Sequence, residues 1–471
     1  MKIAFIGVGG CGTRLVDRVV RAERDTDRSV TDGNVLAFNT EPRAFDQTTA
    51  LAADQRILLG DTHPAVTRRD SNDHRRNGDE KSVDSRERSA ETDTVNSTKA
   101  PQETSSSSDN NSDDPSAQIT EYGVGGNPEV GAQVAQADRP EIRRALDRID
   151  ETEVAAVMLV SGLGGGTGSG VGSVLLGELQ SIYETSVYTL GVLPARVEPD
   201  RRALTAARGL RTIVPQSDSV FLVDNDAWWQ NTDSVANCYE SINTMAVERV
   251  LGIFGAGERD HMSVSEMRID PADIKRTLEI GGVATVGRQT LDIEVQSEGL
   301  LARVLRLLGQ SPSTDDVPVD ASTVKNLISQ AVRSEMTVPC DISSADRVLV
   351  ILTGPPDTIS RKGFETGRYL LEEETETVEV LAGDEPVQDA TELTATVVLS
   401  NVTTVPRIDQ LQRRAVTIQK TIDSSDTAKR SSDTEQSDTT STGQQRNQST
   451  VEKSAASDEF DFGDIESDTS S

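Results

Sequence analysis

Between residues 161 and 170 the chain reads Ser-Gly-Leu-Gly-Gly-Gly-Thr-Gly-Ser-Gly. Residues 153–160, apolar and bounded by polar residues and glycine, predict a buried strand before it. Residues 171–179 carry apolar side chains at helical spacing and predict a helix after it. A glycine run at a strand-to-helix turn offers backbone N–H groups and the positive end of a helix to an anion. Gly164, Gly165, Gly166, Gly168 and Gly170 carry no Cβ to hold a phosphate away, and Thr167 and Ser169 add hydroxyl donors.

Two further glycine loops resemble it in chemistry. Residues 2–6 predict a strand that runs into Gly7, Gly9, Gly10, Cys11 and Gly12, and then a helix over 13–24. This matches the dinucleotide fingerprint, a weak signal alone. The acid that fingerprint requires after the second strand is poorly placed: strand 35–38 ends in Asn39, Thr40 and Glu41, so amide and acid are equal candidates. Cys11 reads as a small loop residue rather than a reactive thiol. The third loop is 122–128, with Gly125, Gly126 and Asn127. One helix is predicted over 233–254, where Tyr239 and Asn243 stand at i and i+4 and share a face. That pair suits a purine, with the ring stacking and the amide bonding the base edge. Spacing alone favours the plainer reading, a core tyrosine and a satisfied surface amide.

Strand, loop and helix alternate through the first half, with strands at 187–193 and 219–223, the second ending in Asp224 and Asn225. This predicts an α/β layer with a mostly parallel sheet and ligands at the carboxyl ends of its strands. In the second half, strands are predicted at 348–352, 377–381 and 393–399 and a helix at 369–374. Residues 62–118 and those from 421 onward are polar and aperiodic, and are expected to be disordered. The segment 460–465, with Phe460, Phe462 and Ile465, is either a short docking motif for an adaptor or a chance apolar spot.

The formal net charge is -31, with nine lysines among 47 basic residues. An acidic, lysine-poor surface argues against nucleic-acid binding and suits a very salty cytoplasm. Three cysteines without a CxxC pair and three scattered histidines predict neither a zinc site nor a disulfide framework. The N-terminus lacks the apolar core of a signal peptide and no apolar run is long enough to span a membrane, so the expected location is cytoplasmic.

The run 164–170 resembles the signature of the tubulin and FtsZ superfamily of GTPases. Residues 7–12 resemble its first phosphate loop, Asn39 its second, and 123–127 the loop that senses the γ-phosphate. Glu198 and Arg202, in a Pro-x-x-x-Glu-x-x-x-Arg pattern, resemble its sugar-contacting loop. Asn225 resembles a guanine-contacting Asn, and Tyr239 and Asn243 the aromatic and amide of the helix joining the two domains. The stretches 337–342, 354–363 and 399–412 resemble the CetZ group of haloarchaea. The resemblance covers roughly 1–60 and 119–418 and implies a tubulin/FtsZ-like α/β fold: a GTP-binding domain over 1–231, a long central helix over 232–257 and a smaller C-terminal α+β domain over 258–420; the insertion at 62–118 and the acidic tail over 421–471 are not part of it. It also implies GTP and GDP as ligands, Mg²⁺ held mainly through the nucleotide, and head-to-tail polymerisation of the chain with itself, with related tubulin-like proteins or a tail-binding adaptor as further partners. The role implied is control of cell shape.

In such GTPases the active site is shared between two subunits, and a loop of the second brings acids toward the γ-phosphate. The matching residues are Asp270 and Asp273, which at i and i+3 of a helix start also read as N-terminal caps. Arg268 stands where the family pattern has Asn. Together with the insertion, this motivates an alternative: a GTP-binding paralogue that polymerises poorly and acts as a regulator or scaffold. A nicotinamide-dependent dehydrogenase would leave the 164–170 run and Asn243 unexplained and has no clear proton-transfer histidine.

Overall fold

The computed structural model describes residues 1–26, 28–61, 63, 66, 123–229, 235–256, 269–293, 321–334, 336–356, 361–375, 377, 379–388 and 390–437. Most of 62–118, Arg268 and 460–465 lie outside the described residues, and with them the readings made of those stretches.

Ten strands form one sheet, β1 (Ile3–Val8), β2 (Val35–Asn39), β3 (Arg56–Leu58), β4 (Ala156–Gly162), β5 (Ser186–Leu193), β6 (Ser219–Asp224), β7 (Val283–Asp292), β8 (Arg347–Gly354), β9 (Val380–Pro386) and β10 (Glu392–Ser400). Their order is β3-β2-β1-β4-β5-β6-β7-β10-β8-β9. Every pair from β3 to β7 is parallel; β7–β10 and β10–β8 are antiparallel, and β8–β9 is parallel. The strands of the first half are buried on both faces, hence their continuous apolar runs.

Side chains alternate across the sheet, so β1 divides between two cores. Ile3 and Phe5 face one core, with Leu15 of α1 (Gly9–Thr26) and Ile242 of a long helix, Val235–Phe254. Ala4, Ile6 and Val8 face the other, with Val134 of α2 (Pro128–Ala137), Ile142 of α3 (Arg139–Leu146), Leu175 of α4 (Gly172–Ile182) and Ala206 of α5 (Asp200–Ile213). A short turn of helix, α6 (Asn225–Trp228), precedes the long helix, α7. The remaining helices are α8 (Pro271–Leu278), α9 (Ala321–Ser334), α10 (Arg361–Thr375) and α11 (Pro406–Ser437).

Contacts divide the chain into Met1–Gln419 and Lys420–Ser471. Within the second unit, order does not end at 421 as expected: α11 continues to Ser437. After Pro406 it contains neither Gly nor Pro, so nothing in its backbone stops a helix despite its polar composition. The helical winding expected from Val171 begins at Thr167, as one π-helical turn leading into α4. Strand β9 starts at Val380, three residues later than expected, and α10 extends eight residues further toward the N-terminus than 369. Among the described residues, no helix is long and apolar enough to cross a membrane.

Candidate functional site

The parallel register places the ends of β1, β4, β5 and β6 side by side. From those ends come the first turn of α1 at Gly9–Gly12, helical four residues earlier than expected, the run 161–170, the loop 194–199 and Asp224–Asn225. The glycines let these segments interlock. A Cβ on Gly12 would lie under 3.0 Å from the Val160 carbonyl, one on Gly166 under 3.0 Å from the backbone of Gly126 and Asn127, and one on Gly170 under 3.0 Å from the Pro128 carbonyl. Gly9, at φ 70°, lies against Thr167 and Gly168. The three glycine loops therefore form one continuous wall. Gly165 and Gly10 meet nothing closer than 3.7 Å and 3.5 Å, and Gly126 meets nothing within 4 Å, so their faces are open.

Beside that wall lies a charged cluster. The Arg202 guanidinium donates to Glu198 Oε2, while Oε1 of the same buried carboxylate accepts the Ala195 N–H at 2.8 Å. The Arg14 guanidinium carbon is 5.4 Å from the centroid of the half-buried Tyr239 ring. Burial and the Glu198 carboxylate raise the Tyr239 phenol's pKa, against the opposing pull of Arg202 and Arg14. Burial tends to lower the pKa of Arg202, but Glu198 and Tyr239 outweigh it and raise it. Desolvation pushes the Cys11 thiol up to about 11 despite the nearby Arg14, so it is protonated at neutral pH. Asn243, one turn from Tyr239, is buried, as is Asn225.

Several residues expected to reach a phosphate are committed within the protein. Ser169 corrects the sequence reading: its hydroxyl donates to the Leu163 carbonyl and its N–H to the Gly165 carbonyl, so both donors serve the loop. Asn39 donates through Nδ2 to Thr13 Oγ1 at 3.1 Å and accepts the Glu41 N–H at 3.1 Å. Asn127 caps α2, its Oδ1 accepting from the N–H groups of Glu129 and Val130. The Thr167 hydroxyl pairs with that of Thr40 at 2.7 Å. These side chains hold the loops together, leaving backbone N–H groups for any anion.

Sequence reading missed Arg14; Glu41, weighed there only as the acid of a dinucleotide site, instead accepts the Gly123 N–H through Oε2 at 2.8 Å and ties the third loop to β2. It also missed Arg407 and Arg414. Their spacing of seven residues on an amphipathic helix start was the available signal.

Asp270 and Asp273 are not in this cluster. They form a capping box on α8: Asp270 Oδ1 accepts the Ala272 N–H at 2.9 Å, and Asp273 Oδ2 the Asp270 N–H at 3.4 Å. The capping alternative therefore describes their geometry within one chain. Their position follows from α7. Tyr239 sits near Arg14 and Glu198, at the carboxyl ends of the strands, whereas the Phe254 carbonyl accepts from the Met1 amino group at 2.7 Å, at the amino end of β1. Beyond α8, the chain turns at Gly281–Gly282 into Val283, which pairs with Val220 near the start of β6. Ile269 N–H reaches the Asp384 carbonyl, and the adjacent Glu385 holds Arg28, which itself donates to the Leu251 carbonyl near the end of α7. The acids and the glycine wall thus occupy opposite ends of the sheet, with Asp270 exposed to solvent.

Among the described residues, no group of three or more His, Cys, Asp or Glu is placed to hold a metal ion.

Residues 2–233 match the family described as Tubulin/FtsZ family, GTPase domain, and residues 232–417 match Tubulin-like CetZ, C-terminal domain. The tubulin-like protein CetZ1 of Haloferax volcanii is 33% identical over 426 residues, covering 90% of this chain and 94% of its own length. CetZ3 of the same organism is 39% identical over 300 residues, 64% of this chain and 76% of its own. The structure resembles that of CetZ1 from Haloferax volcanii as a GDP-bound monomer, with TM-score 0.66, 30% identity and coverage of 89% and 100%. It also resembles CetZ2 from Haloferax volcanii as a GTPγS-bound protofilament, with TM-score 0.66, 26% identity and coverage of 90% and 100%. The chain belongs to the CetZ family of tubulin-like proteins, in the tubulin/FtsZ GTPase superfamily.

Proposed function

We propose that this protein binds and hydrolyses GTP and polymerises head-to-tail into cytoplasmic filaments that act in the control of cell shape. The observation that carries the reading is the separation of the two halves of the chemistry: the glycine wall lies at one end of the sheet, and Asp270 and Asp273 lie at the other. Only a second copy, stacked end to end, brings the acids of one chain to the glycine wall of another. Such a heterologous contact leaves a free end of each kind and builds an open filament. Residues 1–231 act as the GTP-binding domain, 232–257 as the connecting helix and 258–420 as the C-terminal domain.

The residues fit a guanine nucleotide. Gly10, Gly126 and Gly165 leave space at the wall for phosphate oxygens. Arg14 Nε is buried without a hydrogen-bond partner beside Tyr239. Tyr239 stacks on the base, Asn225 and Asn243 bond its edge, and Glu198 and Arg202 hold the sugar. Backbone N–H groups of 9–12, 125, 126, 164 and 166–168 hold the phosphates, those of Asn127 and Gly165 being bonded to the Val124 and Gly162 carbonyls. A bound Mg²⁺, held mainly by the nucleotide, neutralises phosphate charge. Asp273 of the next chain, with Asp270, orients the attacking water and accepts its proton.

Light scattering of the purified chain in molar KCl with GTP, GDP or ATP tests this. The proposal expects scattering that rises with GTP alone and reverses as GTP is consumed. GTP binding without scattering at any protein concentration would instead support the poorly polymerising paralogue.

A further inference from the structure

We infer that Arg414 and Arg407 of α11, which no part of the nucleotide reading uses, are positioning residues that set the sugar and base loops and thereby the affinity for nucleotide. The inference rests on the assignment of these loops to nucleotide.

Arg414 spends its whole fork on one loop. Nε and NH2 donate to Asp200 Oδ1, NH1 to the Arg196 carbonyl at 2.8 Å, and NH2 also to the Glu198 carbonyl at 3.0 Å. Two of those acceptors are backbone, so the guanidinium fixes the path of the chain at Glu198. The Glu198 side chain faces Arg202 and Tyr239. Seven residues earlier, Arg407 is nearly fully buried. Its Nε donates to Asp224 Oδ1 at 3.0 Å and its NH2 to the Pro194 carbonyl. Asp224 Oδ1 also accepts the Asp226 N–H at 3.1 Å, so the carboxylate that Arg407 holds spans the turn containing Asn225. At the end of the same unit, Gln419 accepts from Arg208 at 2.8 Å, and Arg208 also donates to Glu129 in the first turn of α2 at 3.1 Å. One helix thus grips two of the loops at the carboxyl ends of the strands directly and reaches the first turn of α2 only through Arg208, without contributing a residue to the pocket. A planar fork engaging carbonyls and a carboxylate together has no equivalent in lysine.

The test uses the full-length protein and its Arg414→Ala and Arg414→Lys variants. Arg414 is half-buried at the surface and pairs with the exposed Asp200, outside both apolar cores, so its loss leaves the core intact. Hydrogen exchange without nucleotide is followed at the Ala195, Glu198 and Arg202 amides, which are hydrogen-bonded within the loop. Binding and release of a fluorescent GTP analogue are measured alongside. In Arg414→Ala, exchange at these amides is expected to quicken about tenfold and nucleotide release to quicken by a similar factor, with Arg414→Lys between parent and Ala and the melting temperature of both near the parent's. Faster exchange with unchanged affinity and release would overturn the positioning role, and so would unchanged exchange. A melting temperature well below the parent's in Arg414→Ala would mark a merely structural role and overturn it as well. Failure of the parent itself to bind any guanine nucleotide would refute the assignment of the loops, while the exchange result would still decide whether Arg414 holds them.

Discussion

The glycine wall contains two kinds of glycine, and substituting one of each separates structure from ligand binding. Gly170 packs on the first turn of α2, where an added methyl would lie under 3.0 Å from the Pro128 carbonyl and the Ala132 nitrogen. Both are backbone, so the loop or the helix must shift. Overpacking of this kind costs about 1–3 kcal/mol. Replacing a glycine in a helical turn returns up to about 1 kcal/mol. The net loss of about 1–2 kcal/mol in Gly170→Ala predicts a melting temperature lower by about 1–2 °C for a folded unit of this size. At Gly165 the nearest atom is 3.7 Å away, an ordinary contact. Gly165→Ala should melt with the parent, but its methyl stands where a phosphate oxygen would approach. Losing one charge-assisted hydrogen bond costs about 1.5–3 kcal/mol. That raises Kd for GTP by about 10- to 100-fold. Thermal melts in high salt and titration with a fluorescent GTP analogue measure both. If Gly165→Ala binds like the parent, or if both variants lose stability equally, the division of the wall into packing and ligand-facing glycines is wrong.

Other outcomes follow from the same geometry. Asp273→Ala should bind GTP normally yet show no turnover, and its filaments should outlast the parent's; a steady-state phosphate assay with sedimentation reads both. Asn127→Ala should lose about 1 kcal/mol through the missing cap of α2, seen as a shift in the denaturation midpoint. Cys11 should react with iodoacetamide at pH 8 about a hundredfold more slowly than a free thiol, since its pKa is raised from 9.0 to about 11. The sign is set by that rise: folding favours the neutral thiol, a contribution present below pH 9 and lost as pH climbs through about 11. An alkylation rate already at its plateau at pH 8.5 would contradict it.

Apart from the three-residue edge strand β3, the strands and glycine loops of the first half were legible because buried parallel strands are uninterrupted apolar runs and the loops between them are glycine-rich. The second half was harder. Strand β7 carries Gly287, Arg288 and Gln289 amid its apolar residues, and α9 follows the polar stretch 309–320, so neither stood out. In the site, glycine positions were readable, but what each hydroxyl or amide bonds was not. Ser169 and Asn127 have the chemistry of phosphate ligands; whether they spend it on a ligand or on a neighbouring loop depends on distances that spacing does not encode. The spacing of Arg407 and Arg414 marks one helix face, but what that face holds was not legible because their partners lie about two hundred positions away.

The central claim is that one active site is completed by two chains. It is tested most directly by mixing two variants that are each inactive alone: Asp273→Ala, lacking the acid at one end, and Gly165→Arg, blocked at the glycine wall of the other. In an equimolar mixture assembling at random, about a quarter of interfaces join an intact wall to an intact acid. The mixture is therefore predicted to regain about that share of the parental GTP turnover. A mixture as inactive as its components, or a parental rate per chain that does not change with protein concentration, would contradict the account.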